Sequence, residues 1–139
     1  MSVQQAIYDH LRTSVHVAAL VGTKITDRQE PVGDPPYIVF QVVGDESIRS
    51  LAGATGLRSA RAQLTAWAED SIECANIHAA IRNRLDGYRG TVGGTLIHGV
   101  KEEPGHELFE EIEDATGLGR FGDRAEYTVW YAGSIPDQT

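Results

Sequence analysis

The chain reads as an α+β protein in two layers, a mainly antiparallel four-stranded sheet with two main helices on one face, in the order α-β-β-α-β-β. Three observations predict this. Apolar residues recur at helical spacing at Val3, Ile7 and Leu11, and again at Cys74, Ile77, Ile81 and Leu85. Four runs of strand character occupy residues 37–43, 61–68, 95–100 and 124–132. Two helices suffice to cover one face of such a sheet, and 139 residues suit one domain, 1–139.

The first helix is expected over residues 3–13 with Ser2 as N-cap, and a short helical turn over 15–21 stops at Gly22. Pro31, Gly33, Pro35 and Pro36 make 23–36 a loop, with a short extended piece at Ile25. In the strand 37–43, Ile38, Phe40 and Val42 point one way and Tyr37, Val39, Gln41 and Val43 the other. Residues 44–59 then form a connection too long for a tight hairpin, which makes a ribbon with a protruding arm. Its Ile48, Leu51 and Leu57 are residues a solvated loop does not need.

The strand 61–68 sets small residues (Ala62, Ala66, Ala68) beneath a helix, and Asp70-Ser71 opens that helix, which runs to Gly87. Gly90, Gly93 and Gly94 mark a turn before the third strand, and residues 117–123 mark another before the fourth. The tail 133–139 is expected to fray. The sheet face away from the helices would carry Tyr and Trp side chains, a candidate interface.

Composition narrows the function. A net charge of -8 argues against a general binder of phosphate backbones. The lone cysteine, Cys74, permits no internal disulfide and reads as a buried hydrophobe. No basic segment followed by an apolar run stands at the N-terminus, and no stretch approaches membrane-span length, so use in a cytoplasm, or in a particle assembled there, is expected. The glycines at 53–56 and 90–94 match neither dinucleotide nor P-loop spacing. His98, His106, Glu107 and Glu110 lack the spacing of a local zinc site, His78 reads as a core-edge residue, and His10 and His16 as surface histidines. No metal, cofactor or catalytic residue is assigned.

Residues 102–114 carry Glu102, Glu103, Glu107, Glu110, Glu111, Glu113 and Asp114 with no Lys or Arg among them. They read as a solvated loop or, if copies form a ring, as a negative lumen that repels passing DNA.

Four stretches carry a family resemblance: Leu20-Val21-Gly22 before the Pro-rich loop; Pro36-Tyr37-Ile38-Val39-Phe40-Gln41; Gly56-Leu57 leading to Arg61-Ala62-Gln63-Leu64-Thr65-Ala66-Trp67-Ala68; and Thr116-Gly117-Leu118 before Tyr127-Thr128-Val129-Trp130-Tyr131. In this order they resemble the tail-terminator and tail-completion (head-to-tail joining) proteins of long-tailed bacteriophages, the group that includes the lambda tail protein U. The resemblance implies a structural protein without catalysis, a monomer in solution that forms a hexameric ring on the tail tube. Its partners would be itself, the tail-tube protein and the head-completion or neck protein, with DNA passing through and no specific nucleic-acid or membrane binding. Its place would be the virion tail, and the host cytoplasm during assembly. Carried onto this chain, the arm with Ile48, Arg49, Leu51, Leu57 and Arg58 would reach a neighbour or the tube, while Trp67, Tyr127 and Trp130 supply apolar contact. The alternative is a small α+β domain that binds a ligand or peptide on its aromatic sheet face, with a concave pocket beside Trp67 or Trp130.

Overall fold

The computed structural model describes residues 3–27, 36–50, 53–105, 107–112 and 119–132, with side chains for all of these except 47–50, 53–55, 111, 112 and 119. The N-cap expected at Ser2, Leu51, His106, Glu113, Asp114 and the tail 133–139 lie outside the described residues.

Among the described residues, three helices and seven strands follow in the order α1 (Val3–Arg12), α2 (Val15–Val21), β1 (Ile25–Asp27), β2 (Tyr37–Ser50), β3 (Gly53–Ala68), α3 (Ser71–Leu85), β4 (Gly90–Val92), β5 (Thr95–Glu102), β6 (Glu107–Ile112) and β7 (Gly119–Ala132). The sheet runs β1-β2-β3-β7-β5-β4, with β6 also paired to β7. It is mixed, because β1 lies parallel to β2 while the other pairs are antiparallel. The expected four-stranded antiparallel sheet in the order α-β-β-α-β-β is therefore overturned.

The strands missing from that expectation have plain physical reasons. β1 and β4 are three residues each, too short for alternation to register. β6 reads as acidic loop because Glu107, Glu110 and Glu111 set its character in the sequence. Leu108 and Phe109 sit among them, and the strand pairs with β7 from Glu107↔Arg124 to Ile112↔Gly119. Since β5 also lies antiparallel to β7, from Ile97↔Tyr131 to Glu102↔Tyr127, β5 and β6 lie along the same side of β7 as one line of strand interrupted after Glu102. Gly105 there has φ 94°, a conformation that favours glycine.

The connection expected at 44–59 is likewise strand on both sides. β2 and β3 stay paired out to Ser50↔Gly53, with register shifts between Val42 and Gly44 and between Ser47 and Arg49. Glycine near those shifts disguised the strand, and Gly56 (φ 77°) takes up the second irregularity.

One face of the sheet carries the core. Ile38, Phe40, Ala60, Ala62, Leu64, Ala66, Ala125, Tyr127 and Val129 join Ile7 and Leu11 of α1 and Cys74, Ile77, Ile81 and Leu85 of α3. Small side chains on β3 let α3 approach closely. Asp70 caps α3, its side chain accepting from Glu73 N at 2.7 Å. Ser14 does the same for α2. Against expectation His10 is buried: its ring lies 3.8 Å from that of Tyr88 and its Nε2 donates to the Arg84 carbonyl at 3.0 Å, tying α1 to α3.

Candidate assembly surface

The β2–β3 hairpin outlasts its neighbour. Among the described residues the last pairing of β3 with β7 is Leu57↔Ala132, whereas β3 begins at Gly53 and remains paired to β2 there. Among the described residues a two-stranded arm thus projects past the sheet by four residues, about 13 Å at the strand rise. Ile48 and Arg49 lie on this projecting part of β2, and Leu57 sits half-buried at its base.

The arm is braced at its root. The register shift at Val43 turns Asp45 toward the core side, where Arg58 Nε donates to Oδ1 (3.0 Å) and the Tyr131 hydroxyl donates to Oδ2 (2.7 Å). One carboxylate therefore links both arm strands to β7. The hydrogen bond to Asp45 raises the Arg58 pKa, and burial, followed by the hydrogen bond to Asp45, pushes the Tyr131 phenol up. Asp45 and Tyr131 were not among the expected site residues. The signal for them is the alternation itself, once it is followed through the bulge.

Beside this root, on the sheet face away from the helices, lies an open concavity of about 720 Å³ lined by Val43, Glu46, Arg61, Thr128 and Trp130 among others. Trp130 is half-buried and Arg61 exposed. The other two expected contact aromatics are placed differently. Tyr127 is fully buried beneath the helices. Trp67 is 7% exposed because Arg120 stacks on its ring (4.2 Å to the centroid) and Phe109 meets it edge-on at 5.2 Å. Arg120 also donates to the Tyr37 hydroxyl. These four side chains build a small second core on the outer face.

The acidic run divides in three. Glu102 turns inward, paired with Arg82 and 3.4 Å from His78 Nε2, while His78 Nδ1 faces buried Asp123 at 3.6 Å. Glu103 accepts from the Thr128 hydroxyl at 2.6 Å. Glu107 and Glu110 are exposed on β6, and Glu111 follows on the same strand. Among the described residues no cluster of histidine, cysteine and carboxylates could hold a metal. Among the described residues no helix is long and apolar enough to cross a membrane.

Among the described residues the site thus consists of a hairpin braced at its root by Asp45 and, across β3 and β7, an acidic strand. The family follows from the sequence: residues 5–100 match the model for tail completion protein gp17, and the chain belongs to that family of phage tail structural proteins, which is not an enzyme family. Among solved structures the fold is similar to a chain of the "Virion of native gene transfer agent (GTA) particle", with a TM-score of 0.67 and 18% identity over 94% of this chain and 96% of that one. The curated proteins contain no match.

Proposed function

We propose that this protein closes the tail tube: copies assemble as a ring, six by the family resemblance, on the last ring of tube subunits. The ring stops further addition and presents a different face to the neck of the head. Its partners are itself, the tail-tube protein and a head-completion protein, and DNA passes through the ring without specific contact. Its place is the virion tail, reached from the host cytoplasm during assembly.

The braced arm is the single observation that carries this reading. A hairpin extended past its own sheet buries little and adds little to the stability of a lone chain. Fixing it through Asp45 makes sense if it meets something. Membership of the tail completion family and likeness to a chain of a phage-like particle support the reading.

The test is tube assembly in its presence, viewed by negative stain. Tubes of limited length with extra density at one end are expected, and unlimited growth with bare ends would refute it. Deleting residues 52–55 is expected to leave the circular dichroism spectrum intact but abolish end density; unchanged capping would remove the arm from the mechanism.

A further inference from the structure

Among the described strands, each lateral edge of the sheet is covered along only half its length. On one side β1 pairs with β2 at Ile38–Phe40 alone, and no described strand pairs with that side of β2 over residues 44–50. On the other side β4 covers β5 at Thr95–Ile97, and no described strand pairs with the outer side of β6. The bare stretches lie at opposite ends of the sheet, one on the arm and one where β7 begins. They are nearly equal, seven residues on β2 and six on β6. Unpaired edges of this kind are templates for another strand.

Direction and charge select the occupant. Three antiparallel steps separate β2 from β6, so the two run oppositely. A copy placed beside this one in the same orientation, as a ring requires, would therefore bring its β6 antiparallel to this β2. β1 below and β4 above leave room for that neighbour only in a staggered position. The charges bear on it too: β6 carries Glu107, Glu110 and Glu111 without a base, whereas β2 offers Arg49 and the adjoining β3 Arg61, against Glu46, with Asp45 and Arg58 already paired to each other. Arg61 and Glu107 are both exposed and project from the same face of the sheet.

We propose that neighbouring copies join by strand addition, the outer edge of β6 of one copy pairing antiparallel with residues 44–50 of β2 of the next. The contact is heterologous, so each copy offers both halves, and repetition gives a ring when the rotation from copy to copy closes. It rests on the ring reading above and names the contact that reading leaves open.

Disulfide trapping tests it in the full-length chain. Glu107→Cys or Glu110→Cys is combined with Ser47→Cys or Arg49→Cys, and the proteins are oxidised with and without tail tubes. Within one copy β2 and β6 are three strand spacings apart, about 14 Å, beyond disulfide reach. The native Cys74 is buried and its thiol is pushed up to about 12 by burial, so it stays out of the exchange. At least one pairing is expected to give a ladder of covalent oligomers that ends at a closed ring, while the four single variants give none. Rings seen at tube ends with no ladder from any pairing would overturn strand addition and leave the ring intact. Dimers formed by a β6 variant alone would overturn it in favour of a two-fold β6–β6 contact. Wild-type protein that leaves tube ends bare would refute the ring reading, and a ladder from the same preparation would still uphold the contact.

Discussion

Gly122 offers the sharpest test of how the outer face is held. It lies on β7 between Trp67 of β3 and Phe109 of β6. A Cβ there would stand 2.5 Å from Phe109 Cζ and 2.9 and 3.0 Å from its two Cε atoms. The ring has little freedom to yield, because its neighbours are Trp67 at 5.2 Å and the Arg124 guanidinium at 5.2 Å from its centroid. Gly122→Ala should cost about 1–3 kcal/mol for the overpacking and about 0.5–1.5 kcal/mol for the disturbed aromatic pair. A gain of about 0.4–1 kcal/mol from the stiffer unfolded chain offsets part of this. The net is about 2 kcal/mol, or a fall of roughly 6–8 °C in Tm for a chain of this size. Urea unfolding followed by tryptophan fluorescence measures it, with Trp67 beside the lesion. The decisive comparison is Phe109→Ala made in both backgrounds. If the clash is the cause, that substitution costs clearly less after Gly122→Ala than in the wild-type chain. Additive losses would show that Gly122 is needed for some other reason.

Three further outcomes are expected. Asp45→Asn should lose about 1–2 kcal/mol, because a half-exposed ion pair contributes under about 1 kcal/mol and the Tyr131 hydroxyl loses a charged acceptor; hydrogen exchange should quicken in the arm and not in α3, and uniform quickening would deny Asp45 a local bracing role. Tyr127→Phe should leave stability unchanged or raise it by about 1 kcal/mol, since the buried hydroxyl has no hydrogen-bond partner among the described residues, and a clear loss would reveal a partner. Burial lowers the His10 pKa below its ordinary 6.5, so the unfolded chain takes up the proton first and stability should fall as pH drops below about 6.5 toward the folded pKa. His10→Gln should flatten that part of the profile measured by urea titration, and an unchanged slope would assign the proton uptake elsewhere.

Sequence showed the helices and the heart of the sheet because their signals are local. The α3 stripe of Cys74, Ile77, Ile81 and Leu85 is buried as its spacing predicts, and the small residues of β3 do lie beneath it. What stayed hidden depends on partners distant in the chain. β6 is a strand because β7 pairs with it, not because Glu107–Ile112 looks like one. Trp67 gave no local sign of being covered, since Arg120 and Phe109 reach it from 53 and 42 residues further along. Residues 44–59 belong mostly to β2 and β3 rather than to a loop, because Gly44, Gly53 and Gly56 ordinarily mark loops and here stand at register shifts and at a strand start. The charge of residues 102–114 was legible, whereas its division into an inward Glu102 and an outward Glu107 required the alternation of β5 and β6.

The extra residue at Val43 has a consequence for how such an appendage can change over time. Before it, even-numbered residues of β2 face the helices (Ile38 and Phe40); after it, the odd-numbered Asp45 does. Loss of that one residue would invert every side chain beyond it and turn Asp45 away from Tyr131. Insertions further out leave Asp45 in place and, taken as one residue on each strand, alter only reach. The outer hairpin is thus an interchangeable tip on a fixed socket, able to lengthen or shorten to suit a partner while the body beneath it stays the same.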